Sequence, residues 1–219
     1  MKKFISTSLL LSSIAVTSAF STSASALEVE GLSANVGAVS QYFFRGIVQT
    51  DTASASAGVD YEIGGFYVGT WAADVQDGLE VDFYGGYALE LDAGLGLSAG
   101  FTSYQYTGDF DSAYNEVNLG VSYGIFSASY NIGTHEEDNG LGIPEADYDF
   151  LSITAEYEGF YATFGSWGDE FDGDYVELGY GTDVAGFDIG VSLISNSEEL
   201  DLESGDGEES LVFSIGKSF

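Results

Sequence analysis

The chain has 219 residues, 36 of them acidic and 4 basic, for a formal net charge of −32, yet 45% is hydrophobic, 15% aromatic, and glycine occurs 30 times. That hydrophobicity excludes a chain kept disordered by its charge, and the acidity excludes nucleic acid as a partner, because phosphate contacts need a basic surface. The lack of cysteine excludes a disulfide-stapled fold and thiolate metal sites, while many glycines and one proline, Pro144, suit short strands with glycine turns better than helices.

Residues 1–26 read as a signal peptide. Lys2 and Lys3 form the charged start, Leu9, Leu10, Leu11, Ile14 and Val16 the apolar centre, and Ala24-Ser25-Ala26 the small-x-small cleavage pattern. Cleavage is expected after Ala26, leaving residues 27–219 as one domain. It removes two lysines and no acids, taking the charge from −32 to −34 and leaving only Arg45 and Lys217 basic. Nothing later approaches the run of about 18 apolar residues that a membrane helix needs. An exported chain of this kind is soluble in the periplasm, secreted, or inserted in the outer membrane as a barrel.

Period-two alternation points to the barrel. In the opening strand, Val36, Ala38, Tyr42 and Phe44 point outward, which turns Arg45 inward. Next, Ala53, Ala55, Ala57, Val59 and Tyr61 alternate with Ser54, Ser56, Gly58, Asp60 and Glu62. From Leu79 to Leu91 one face carries Leu79, Val81, Phe83, Tyr87, Leu89 and Leu91, and the other Glu80, Asp82, Tyr84, Ala88 and Glu90. Val117, Leu119, Val121 and Tyr123 alternate with Glu116, Asn118, Gly120 and Ser122. Phe187, Ile189, Val191 and Leu193 alternate with Asp188, Gly190 and Ser192, and Leu211, Phe213 and Ile215 lead to a terminal Phe219. Successive strand side chains point to opposite faces, so one face is apolar and the other small, polar or acidic.

Twelve strands are expected, with ten as the fallback, beginning near Leu32, Thr52, Phe66, Leu79, Leu95, Ala113, Phe126, Tyr148, Phe160, Asp174, Gly186 and Glu209. A soluble sandwich also alternates, but three features oppose it. The polar face lacks the Lys and Arg of a soluble surface, and the strands run to about ten residues, the length a tilted membrane strand requires. The even-to-odd connections are tight (Gly64-Gly65, Asp92-Ala93-Gly94, Gly124-Ile125, Glu158-Gly159 and residues 182–186), whereas the odd-to-even ones are longer and acidic, residues 134–147 and 196–208 above all. Short turns on one side and long loops on the other mark outer-membrane barrels, the short turns being periplasmic.

Tyr61, Phe66, Tyr123, Phe126, Tyr157, Phe160, Tyr180 and Phe187 flank the short turns on the apolar face, as an aromatic girdle would. Tyr42, Phe44, Tyr130 and Tyr148 are candidates for a sparser ring on the loop side. The segment from Asp60 through Phe66-Tyr67 to Trp71 is echoed by Glu156 through Phe160-Tyr161 to Trp167. The offset of six strands fits either a duplicated half or the general likeness of barrel hairpins.

The opening of the mature chain, with Tyr42-Phe43-Phe44-Arg45-Gly46 at its core, the segment Gly65-Phe66-Tyr67-Val68-Gly69-Thr70-Trp71 and the terminal Ser218-Phe219 are similar to landmarks of the TorF-type porins, a family long described as a conserved bacterial protein of unknown function. The resemblance spans the mature chain and implies an outer-membrane channel. This sequence departs from the family toward unusual acidity.

Catalytic chemistry has no recognisable motif. The one histidine, His135, reads as a solvated loop residue, since nothing singles out a serine partner. Asp169-Glu170-Phe171-Asp172-Gly173-Asp174 and Ser204-Gly205-Asp206-Gly207-Glu208-Glu209 offer hard oxygen ligands, but neither fits the twelve-residue calcium loop, and solvated self-repelling loops are the default reading.

The expectation is therefore an all-β transmembrane barrel in the outer membrane of a Gram-negative bacterium, non-enzymatic and without cofactor or metal. Its lumen is expected to be lined by Arg45, Asp60, Glu62, Glu80, Asp82, Glu90, Glu116, Glu156, Glu177 and Asp188, with Arg45 paired to a carboxylate. Twelve strands fall between small barrels filled by side chains and wide porins, so an open pore for small solutes, preferring cations, is expected. Its partners would be membrane lipid, the solute, and the barrel-assembly machinery through Phe219. The competing class is a closed structural or adhesion barrel acting through its acidic loops.

Overall fold

The computed structural model describes residues 29–202 and 205–219; the expected signal peptide lies outside them. In chain order the strands are β1 (Leu32–Val39), β2 (Phe43–Phe44), β3 (Ile47–Val48), β4 (Ser54–Ile63), β5 (Phe66–Asp74), β6 (Leu79–Leu91) and β7 (Leu95–Tyr106). They continue with β8 (Tyr114–Tyr123), β9 (Phe126–His135), β10 (Ala146–Tyr157), β11 (Phe160–Asp169), β12 (Asp174–Val184), β13 (Phe187–Asn196) and β14 (Glu209–Ser218), and a 3-10 turn spans Glu198–Leu200. Twelve of these strands form a closed antiparallel barrel in which each pairs with its neighbour in sequence and β1 closes on β14. Closure leaves no unpaired sheet edge, which a lipid environment would not tolerate. This is the transmembrane barrel that the alternation implied.

The outer face is apolar along the strands, with Val59, Phe83, Phe101, Leu119, Ile153, Leu178, Leu193 and Phe213 all exposed. A monomer in water does not present so continuous an apolar surface, and in a membrane it is the lipid contact. All eight aromatic residues expected beside the short turns are exposed on this face, and the Phe66–Tyr87 and Phe160–Tyr180 ring pairs stand at two of those turns. Lys217 lies on the same face, its ammonium 4.9 Å from the Phe187 ring centre, at the depth where a cation can reach the interface.

Eight of the twelve wall strands start where expected, β4, β8, β10 and β13 start one or two residues away, and one turn is tighter. The strand β12 continues to Val184, because Ala185 and Gly186 both adopt positive φ (58° and 80°) and close a two-residue hairpin. The larger difference concerns residues 40–53. These do not prolong the first strand. They leave the wall after Val39 and fold into the barrel, where β2 and β3 pair as a miniature hairpin, Phe43 opposite Val48 and Phe44 opposite Ile47.

Candidate functional site

The inward hairpin is built by its sequence. Arg45 (φ 50°) and Gly46 (φ 86°) are its two central residues, and positive φ at both makes the turn that matches strand twist. Gly46 is required twice over, since a Cβ there would sit 2.7 Å from the Tyr175 ring. Phe43-Phe44 and Ile47-Val48 supply apolar residues on both sides of the turn. A twelve-stranded wall encloses more space than its own side chains fill, and this plug occupies the loop-side half of it. Tyr42, Phe43, Phe44 and Ile47 are buried with Tyr104, Tyr114, Tyr148, Phe150, Trp167 and Tyr175 from the wall. The protein's apolar core is therefore inside the barrel, at one end.

At the plug tip, Arg45 donates to both oxygens of Glu116 (2.9 and 2.7 Å) and to the Tyr104 hydroxyl (3.3 Å). Glu116 also accepts from Tyr104 (2.8 Å), Tyr148 (3.0 Å) and Asn118 (2.6 Å). The guanidinium lies 4.5 Å from the Phe150 ring centre and 5.5 Å from that of Trp167. Burial works against the Arg45 charge, but the adjoining Glu116 outweighs it and raises the group's proton affinity. The backbone is pinned as well: Trp167 Nε1 donates to the Arg45 carbonyl (2.9 Å) and Asn196 Nδ2 to that of Gly46 (2.8 Å). At the plug base, the Tyr42 hydroxyl donates to Glu80 Oε1 (3.0 Å).

The other half of the interior, toward the short turns, is open. Its inward positions carry Gly, Ser, Thr and Asn with Asp60, Glu156, Glu177 and Asp188, all half-buried, and Glu62 and Glu90, exposed near the mouth. Several aromatic rings lie against the wall over a glycine directly opposite on an adjacent strand: Trp71 over Gly58 at the plug base, and, in the open half, Tyr84 over Gly69, Tyr67 over Gly86 and Tyr161 over Gly179. A Cβ on Gly179 would meet the Tyr161 ring at 2.2 Å. The glycines thus let bulky rings fold flat and leave the lumen free. Asp60 accepts from Tyr84, and Glu177 from Tyr161 (2.6 Å).

A third feature stands at the loop-side rim. His135 is stacked on Tyr114, with ring centres 3.9 Å apart, and its nitrogens face Glu170 (2.7 Å) and Asp111 (3.0 Å). Both contacts are hydrogen bonds only when the ring carries both protons. Among the described residues, no group of three or more His, Asp or Glu side chains is arranged to hold a metal ion.

Residues 22–164, well over half of the chain, match the family model described as "Bacterial protein of unknown function (Gcw_chp)". The chain belongs to this family. No curated protein matches it in sequence. Among solved structures, the Gcw_chp chain is similar to the KdgM porin at 7% identity, with a TM-score of 0.57 over 85% of this chain and 98% of that one. It is also similar to a chain from work on the in-meso crystallisation of membrane proteins, at 12% identity and a TM-score of 0.58 over 85% and 83%. At these identities the likeness is one of fold.

The ten residues singled out in the sequence fall into two sets in this Gcw_chp barrel. Arg45, Glu80, Asp82 and Glu116 are buried around the plug, where Arg45 and Glu116 pair. Asp60, Glu62, Glu90, Glu156, Glu177 and Asp188 belong to the open half. Three expectations are corrected. Tyr42 and Phe44 are not outward girdle residues, because the chain turns inward before them, and Tyr148 occupies an inward position of β10; all three are buried. Of that proposed ring, Tyr130 is exposed. His135 is not a solvated loop residue: it ends β9 and is buried between two carboxylates. Trp167, Asn196 and Tyr104, which hold the plug, were missed. Each is an ordinary strand residue until the register brings it beside the plug.

Proposed function

We propose that this protein is an outer-membrane, porin-like channel for passive diffusion of small solutes, of the TorF type, exported with cleavage between Ala26 and Leu27. The observation that carries the reading is the open half of the lumen. It is lined by small polar residues and carboxylates, its aromatic rings are folded against the wall, and among the described residues the one buried guanidinium sits in the plug beyond it. Carboxylates lining a low-dielectric passage raise the local concentration of cations, so the channel prefers cations. The plug is its constriction.

The test is the reversal potential of the refolded protein across a salt gradient. Cation preference is expected, weakening as the screening length falls from about 10 Å at 0.1 M to about 3 Å at 1 M salt. Replacing Glu62 and Glu156 by Gln should reduce it; an unchanged ratio, or anion preference, defeats the proposal. The packed plug favours a second reading, a closed barrel acting through its acidic loops, and a complete lack of conductance would select it.

A further inference from the structure

Glu80 and Asp82 lie two residues apart on the inward face of β6, at the base of the plug, and both are almost wholly buried. Glu80 Oε1 accepts from Tyr42. Glu80 Oε2 and Asp82 Oδ1 are buried with no hydrogen-bond partner. Two ionised carboxylates in so dry a place, each with an oxygen left bare, would cost several kcal/mol, and such pairs keep a proton instead. The two side chains lie within hydrogen-bond reach of each other, and one proton shared between them provides the hydrogen bond that their bare oxygens lack.

We propose that Glu80 and Asp82 hold one proton between them, and that this proton latches the plug in its seat. The one cation that acts on the pair, Arg45, is bound through both of its terminal nitrogens to Glu116 and so does not supply a second charge for Glu80 and Asp82. On β5 the pair faces Ala73 and Trp71, and on β7 it faces Tyr106 and Tyr104. Across from it, β8 carries Glu116, whose two oxygens are engaged by Arg45 of the plug, and Tyr114; Asp111 of the β7–β8 loop adds another carboxylate nearby. The remaining plug attachments are a guanidinium–carboxylate pair, an indole N–H and an amide N–H, and none of these loses a proton between pH 5 and about 9. The acid pair is the attachment that titrates.

Withdrawing the plug lets water reach the pair. Above about pH 5 hydrated carboxylates are ionised, so opening releases one proton to solvent and leaves two separate carboxylates. The closed form binds the extra proton; acid therefore favours closure and alkali favours opening. Within the range where the closed pair still holds its proton, the open-to-closed ratio rises about tenfold per pH unit.

The chain carries its own reporter. Its only two tryptophans both touch the plug, Trp167 through the Arg45 carbonyl and Trp71 edge-on to Tyr42. In phosphatidylcholine vesicles, titration from pH 5 to pH 10 should shift tryptophan emission to the red in a one-proton transition, with conductance rising in parallel. Asp82→Asn and Glu80→Gln, made separately, should each flatten both responses, since an amide donates to the remaining carboxylate without a titrating proton. Emission indifferent to pH in the unaltered protein, or a transition that survives unchanged in both variants, overturns the latch. Conductance rests on the channel reading and fluorescence does not: an emission transition without current keeps the latch and removes the channel, while current without pH dependence does the reverse.

Discussion

Glu116 receives five donated hydrogen bonds from four side chains at the centre of the plug seat. A buried ion pair contributes little net stability against an apolar replacement, yet breaking it leaves an uncompensated charge. Arg45→Met should therefore destabilise the refolded protein by about 3–5 kcal/mol, whereas Arg45→Met combined with Glu116→Gln should cost clearly less. Urea unfolding of all three in detergent would check this, and an additive double variant would contradict it. The inward position of Arg45 was expected from an alternation with Tyr42 and Phe44 outward, and it is reached instead because the whole hairpin turns in. That Arg45 seeks a carboxylate was legible from the scarcity of cations. Which carboxylate was not, because Glu116 lies 71 residues away and only the register of the six wall strands from β1 to β8 brings it there. His135 was misread for the same reason: Asp111 and Glu170 reach it from separate loops.

At the scale of elements, strand starts and turn positions followed from the period of two, because lipid outside and polar lumen inside impose it on every wall strand. The same rule failed at residues 40–53, because a hairpin tucked into the lumen is covered on both faces and its residues 42–47 are all buried. A signal was present: Phe43 is a large apolar residue at what would have been a lumen position, and Arg45-Gly46 sits between apolar pairs as a hairpin turn does. The echo six strands apart has a structural counterpart. Gly64-Gly65 and Glu158-Gly159 make the same positive-φ turn, and the following Tyr67 and Tyr161 each lie over a glycine of the next strand. Filling one such seat tests its role. Gly179→Val should drive Tyr161 off the wall, costing about 1–3 kcal/mol by overpacking and lowering conductance. Adding Tyr161→Ala should recover most of both. A double variant as unstable as the single one would show that the ring was not the obstacle.

The whole molecule turns a soluble protein's arrangement inside out at one end only. Its outer face is apolar across the middle of the wall and toward the short turns, its open half is polar, and its packed core is the aromatic plug seat. The barrel and its faces could be read from sequence because each strand repeats the same solvent boundary; the division of the lumen into open and packed halves could not, because one fourteen-residue connection decides it. The faces make a sharp prediction at adjacent positions of β10. Ile153 is exposed on the outer face near the middle of its strand, whereas Thr154 points inward and bonds Thr163 across the lumen wall (2.9 Å). An arginine at the first site has to be held in hydrocarbon, which costs about 2–4 kcal/mol at the bilayer midplane. At the second site it meets water, with Glu156 on the same strand face and Glu177 opposite Thr163 on β12. Thr154→Arg should therefore cost much less than Ile153→Arg, and in a conducting barrel it should also reduce cation preference. Unfolding titrations in phospholipid vesicles would compare the two stabilities. Equal losses would mean that both residues meet the same solvent, and the assignment of inside and outside would fail with them.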